Sequence, residues 1–256
     1  MAELALITGG SSGLGEDFAR IHAGRGGDLV LVARREERLQ ALADELRRES
    51  GAKVQVLARD LATPGAGMEL IEELGDQKIE ILINNAGFGA HGFFADQDWE
   101  SIRDMIHLNI ETLTALAHGV LPGMVERASG SILNVASMAG FIPGPLQAVY
   151  YATKAYVLSF SEALANEVRG RGVVVSALCP GATETEFFDR AGMDGVFARK
   201  MGVASSRKVA EFGYRSLMRA KTVAVPGFAN RFMMHSLRLT PRWLATRLSR
   251  ATMEKS

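Results

Sequence analysis

Short apolar runs alternate with longer segments of helical spacing along most of this chain. The runs lie at 4–8, 29–33, 54–58, 79–84, 131–136, 173–178 and 222–225, and several are unbroken and rich in β-branched residues. Strands of that kind are buried on both faces, as parallel strands covered by helices are. The alternation predicts one α/β domain, a doubly wound parallel sheet of about seven strands, over residues 1–226. The segment VYYATKAYVLSFSEALANEV has helical apolar spacing and no internal Pro or Gly, so it predicts a long helix. Beyond Pro226 the pattern changes. Residues 227–256 read as a basic, amphipathic C-terminal extension packed on the domain, with Pro241 dividing two short helices.

The first run leads directly into TGGSSGLG, where Thr8, Gly9, Gly13 and Gly15 form a TGxxxGxG pattern. Between a strand and a helix, such glycines allow a tight turn and close approach of a diphosphate to backbone amides at a positive helix N-terminus. The sheet is therefore expected to be Rossmann-like, with Ser11, Ser12 and Leu14 of the same turn as further cofactor contacts. The second run ends in Arg34-Arg35, where a dinucleotide fold places the adenosine ribose. Arginines there pair with a 2′-phosphate, so NADP(H) is favoured over NAD(H). The competing reading has Arg34 and Arg35 opening a solvated helix while Glu36 turns back to the ribose. Asp60 and Leu61 follow the third run, and Asn85, Ala86 and Gly87 the fourth; each set is a candidate nucleotide contact or an ordinary turn.

Tyr150 and Lys154 stand four apart on the predicted helix, one turn above the other. A free phenol has a pKa of about 10, so a neighbouring ammonium that lowers it makes a general acid/base. Ser137, thirteen residues before Tyr150 and just past a buried strand, is placed to hold a substrate oxygen. Tyr151 lacks the step to Lys154 and points elsewhere.

Taken in order, TGGSSGLG, RDL, NNAG, HLNI, NVAS, YYATK and PGATET resemble the short-chain dehydrogenase/reductase family over roughly residues 4–226. The resemblance implies reversible hydride transfer between a nicotinamide and a carbonyl carbon. It makes Tyr150 the acid/base, has Lys154 lower the phenol pKa and bind the nicotinamide ribose, and gives Ser137 the reacting oxygen. It also assigns Asn109 to a water-linked proton path and places Pro180, Gly181, Thr183 and Thr185 at the nicotinamide. Family members form homodimers or homotetramers, and the same is expected here.

Composition adds limits. Lysine plus arginine and aspartate plus glutamate are 29 each, which gives no electrostatic case for nucleic acid. The single Cys179 excludes an intrachain disulfide framework, and with the apolar run starting close to Met1 it favours a cytoplasmic protein. Cys179 reads as a small buried residue, not a nucleophile. The five histidines are scattered, and no catalytic metal is expected. Residues 186–206 combine Phe, Met and Gly as an apolar lid would, which favours a hydrophobic carbonyl or alcohol substrate. For the C-terminal extension three placements compete: over the substrate site, against a second subunit, or on an anionic membrane surface. The alternative functions are a non-catalytic dinucleotide sensor and a lipid-surface protein on the same fold.

Overall fold

The structure, a computed structural model, describes residues 2–187, 191–192 and 203–254; most of the expected lid lies outside the described residues. Seven parallel strands form one sheet in the order β3-β2-β1-β4-β5-β6-β7. They are β1 Leu4–Thr8, β2 Asp28–Ala33, β3 Val54–Ala58, β4 Ile81–Asn84, β5 Gly130–Val135, β6 Val173–Leu178 and β7 Val223–Ala224. The doubly wound, Rossmann-like sheet expected from the alternation is thus present, and its edge strand β7 is shorter than the 222–225 run because only Ala177 and Leu178 pair with it.

Side chains alternate across each strand, so the sheet builds a core on each face. Ile7 and Leu31 point to one side, where α1 (Gly13–Ala23), α2 (Glu36–Ser50) and α7 (Ser206–Met218) supply Phe18, Leu39 and Tyr214. Leu6 and Leu82 point to the other, against Leu70, Leu116 and Leu164 from α3 (Ala66–Leu74), α5 (Leu113–Glu126) and α6 (Ala148–Glu167). Phe18 is fully buried between the sheet and α7. Phe18→Ala should therefore cost about 3–5 kcal/mol of stability by transfer and cavity terms together. Urea unfolding of the variant measures this.

The helical stretch after β4 is interrupted by a π turn. The 99–124 segment runs as α4 (Trp99–Ile106), a π-helical turn His107–Thr112, then α5. Single π turns of this kind cluster at functional sites because they re-aim one side chain. Here the turn carries Asn109, which is buried. After β7 come α8 (Phe228–Leu237) and α9 (Arg242–Met253), separated at Pro241 as its missing N–H and fixed φ require. Strand order reverses beside β1, between it and β4, and a crevice opens there beyond the strands' carboxyl ends.

Candidate active site

A single cleft of about 710 Å³ occupies that crevice, lined from the glycine-rich turn at one end to α8 and α9 at the other. At the first end, Gly9 and Gly13 adopt φ of +67° and +56°, a left-handed conformation that disfavours any other residue. Gly15 is required for a different reason: a Cβ there would stand 2.2 Å from the Gly9 carbonyl oxygen. Thr8 Oγ1 accepts from the amides of both Asn85 and Ala86 at 3.0 Å, and Asn85 Nδ2 donates to Thr8 O at 3.0 Å. Thr8 and Asn85 therefore brace the tips of β1 and β4, while Ala86, Gly87, Ser11, Ser12 and Leu14 line the cleft.

The two arginines after β2 diverge. Arg35 turns inward, donating from Nη2 to Ser12 Oγ at 2.7 Å and to Ser11 Oγ at 3.2 Å. Arg34 turns toward Asp60, with Nη1 3.7 Å from Oδ2, and both side chains are about half exposed. Asp60 Oδ1 also accepts from the Ala62 amide at 3.0 Å, closing a short turn that places Leu61 beside the cleft.

Deeper in the cleft, Ser137, Tyr150 and Lys154 converge. Ser137, two residues past the end of β5, caps a short 3₁₀ turn, its Oγ accepting from the Ala139 amide at 3.1 Å. Tyr150 and Lys154 project from the first turns of α6, and both are buried. Lys154 Nζ donates to Val135 O at 2.8 Å and lies 5.8 Å from the Tyr150 ring centre. Burial lowers its pKa to about 8, so it stays largely cationic at neutral pH. Burial pushes the Tyr150 phenol well above its ordinary value, and the group opposing that rise is the nearby Ser137 hydroxyl. The Lys154 ammonium thus bridges the strand carbonyl and the side of the cleft that holds Tyr150.

Asn109 fixes the spacing around this group. Its Oδ1 accepts from the Phe88 amide at 3.2 Å, and its Nδ2 donates to Phe88 O at 2.9 Å and Thr153 Oγ1 at 3.1 Å. One side chain thus ties the NNAG loop to α6. Across the cleft, Thr183 Oγ1 donates to Gly181 O at 3.0 Å, and Pro180 O accepts from the Met138 amide at 2.9 Å. Thr185 packs against Gly13, where an added Cβ would come within 2.9 Å of Thr185 Cγ2. Cys179 is buried and its thiol is pushed up to about 12 by that burial, so it is no thiolate.

Residues of α8 and α9 line one end of the cleft. Met233, Leu237, Leu248 and Met253 line it, and Asn230 packs against Gly181. His91 Nε2 meets the Met253 carbonyl at 2.7 Å, pinning the end of α9. Tyr151, buried in the same cluster as Met253, faces α9 and not Lys154. These contacts join segments far apart in the chain. Their one legible sign is the one-turn spacing of Ser249 with Met253 and of Leu248 with Thr252. The outward side of these helices carries exposed Phe228, Phe232, Leu239 and Trp243 among Arg231, Arg238, Arg242 and Arg247.

Residues 3–194 match the family model described as short chain dehydrogenase. The chain belongs to the short-chain dehydrogenase family. It has the parallel seven-stranded, Rossmann-like sheet of that family. Among sequence relatives, sulfoacetaldehyde reductase 2 of Chromohalobacter salexigens is 39% identical over 191 residues, 73% of this chain and 75% of that protein. The very-long-chain 3-oxoacyl-CoA reductase of Homo sapiens is 34% identical over 184 residues, 70% of this chain and 59% of that one. The chain thus matches less than two thirds of the length of several relatives. Among solved structures, a short-chain dehydrogenase from Sphingobium yanoikuyae in complex with NADPH superposes with a TM-score of 0.85. It is 39% identical, with 93% of this chain and 94% of that one covered. A bulky-bulky ketone specific alcohol dehydrogenase from Comamonas testosteroni gives 0.80 at 32% identity, covering 93% and 92%. Among the described residues no helix is long and apolar enough to cross a membrane, and no group of side chains has the make-up of a metal site.

Proposed function

We propose that this dehydrogenase uses NADP(H) to interconvert a hydrophobic ketone and its secondary alcohol. The observation that carries the reading is the convergence of Ser137, Tyr150 and Lys154 in one cleft whose far end holds Arg35 hydrogen-bonded to Ser11 and Ser12. The cleft fits a dinucleotide: Gly9, Gly13 and Gly15 leave room that any Cβ would fill, and the Arg35 end suits a phosphate. When bound, the nicotinamide supplies a hydride to the carbonyl carbon or takes one from the alcohol.

The chain's own residues do the rest. Tyr150 Oη gives its proton to the substrate oxygen during reduction and takes it back during oxidation. Ser137 Oγ donates a hydrogen bond to the same oxygen and steadies its developing charge. Lys154 brings a buried positive charge beside the phenol, and Asn109 holds the loop and helix on either side of it at fixed separation. Thr183, Thr185, Pro180 and Gly181 line the same cleft, and Phe187, with its ring 5.1 Å from that of Tyr150, adds an apolar surface beside the phenol. The alkyl-lined mouth formed by Met233, Leu237, Leu248 and Met253 favours a bulky apolar substrate, consistent with the ketone specificity named for the Comamonas neighbour.

Two results test the reading. Across ketones of graded chain length, kcat/KM should rise with each buried methylene, which is worth about 0.8 kcal/mol, or several-fold; a flat profile contradicts an apolar mouth. Arg35→Ala should lower the NADPH-over-NADH preference by on the order of 10-fold or more, the worth of a charge-assisted contact. Arg34→Ala should do less, since Arg34 leans toward Asp60. An unchanged ratio in Arg35→Ala refutes phosphate recognition at this end.

A further inference from the structure

The end of the cleft that carries Arg35 already holds an anion supplied by the chain itself. Glu186 Oε2 accepts from Arg35 Nη1 at 2.8 Å, and Oε1 accepts from Arg38 Nη1 at 2.6 Å. The same Arg35 donates to the hydroxyls of Ser11 and Ser12. Two guanidinium groups converge on this carboxylate, and the Ser11 and Ser12 hydroxyls flank the other edge of the Arg35 guanidinium, a cluster suited to a doubly charged phosphate. Glu186 comes from 151 and 148 positions away in the chain, directly after Thr185, which packs on Gly13 of the glycine-rich turn. The cluster is open to solvent: the side chains of Arg35, Glu186 and Arg38 are 29%, 39% and 54% exposed. Ion pairs so exposed are weak and readily exchanged.

We propose that Glu186 is an internal stand-in for the coenzyme's 2′-phosphate. Its carboxylate holds the Arg35–Arg38 site before coenzyme binds, and the arriving 2′-phosphate displaces it, taking Arg38 as well as Arg35 as ligands. The proposal rests on the NADP(H) reading above and deepens it. A dinucleotide with a free 2′-hydroxyl leaves the Glu186 contacts intact, whereas one with a 2′-phosphate must break them. Glu186 therefore moderates NADP(H) affinity selectively. It also ties the start of the segment after β6 to the glycine-rich turn until the phosphate arrives, so coenzyme type is sensed by the chain that borders the substrate side.

The test is calorimetric titration of the full chain with adenosine 2′,5′-bisphosphate and with adenosine 5′-monophosphate, neither of which needs turnover. Glu186→Gln should tighten the bisphosphate several-fold, on the order of 5-fold for two exposed ion pairs, and leave the monophosphate unchanged. Adding Arg38→Ala to that variant should weaken the bisphosphate alone. If the wild type prefers the bisphosphate and Glu186→Gln does not tighten it, the stand-in is overturned while the phosphate site survives. If wild type and Glu186→Gln both bind the two nucleotides equally, the phosphate site itself is overturned, and the stand-in with it. A readout without any variant is amide exchange over residues 182–187 of the wild type. It should quicken with the bisphosphate and not with the monophosphate; equal protection with both contradicts displacement.

Discussion

Tyr150→Phe should lose about 10²–10⁴-fold in turnover while keeping its fold and its affinity for coenzyme. The substitution removes one oxygen from a buried ring that packs beside Tyr151 and Phe187, and the ring contacts remain. What disappears is the proton donor. Burial holds this phenol above its ordinary pKa, so it is protonated throughout the neutral range. That state is ready for carbonyl reduction, where a proton must be given. For alcohol oxidation the same group must first lose its proton, and the aids available are the Ser137 hydroxyl and the Lys154 charge. Lys154 loses that charge as pH rises through about 8, so its help is fullest below that value. Steady-state kinetics together with NADPH titration of the variant separates chemistry from binding. Retained turnover would remove Tyr150 from the reaction.

Gly15→Ala should abolish tight dinucleotide binding and cost about 1–3 kcal/mol of stability, the usual range for an overpacked site. The added Cβ would sit 2.2 Å from the Gly9 carbonyl oxygen and 2.6 Å from Asn85 Nδ2. Neither neighbour can yield freely. Gly9 is held in a left-handed turn with its amide on Val32 O, and Asn85 is bonded to Thr8. Relief therefore has to come from shifting the N-terminus of α1, which spoils the amide cradle and the positive helix end together. Gly26→Ala is the useful control. A Cβ there meets nothing within 4 Å, yet its φ of +84° is strained, so it should lose stability without losing coenzyme. Thermal unfolding and titration with adenosine 5′-monophosphate measure both quantities. Wild-type affinity in Gly15→Ala contradicts the cradle.

What the sequence made legible was what local chemistry dictates. The unbroken apolar runs specify buried parallel strands, the TGxxxGxG turn specifies its own geometry, and a four-residue step puts Tyr150 and Lys154 on one face. Burial and long-range pairing left no such trace. The pKa of Tyr150 depends on what covers it, and no local pattern records that burial. Arg34 and Arg35 are adjacent and alike in sequence, but backbone direction sends one to Asp60 and the other to Ser11 and Ser12. Asn109 is an ordinary helix residue until the π turn aims it at Phe88. The ion pairs of Glu186 join segments about 150 positions apart, and nothing local to either announces the other. Likewise the apolar positions of α8 and α9 were visible and packing over the substrate site was one of their expected placements, but which residues meet the cleft depends on pairing with distant segments such as His91.

The most direct test of the central claim is to incubate the purified chain with NADPH and a bulky apolar ketone and to measure alcohol formed against NADPH consumed. Equimolar amounts, with a rate well above that given by NADH, are the result this site predicts. NADPH that stays intact in the presence of every such ketone, with the protein folded and the nucleotide bound, would contradict it.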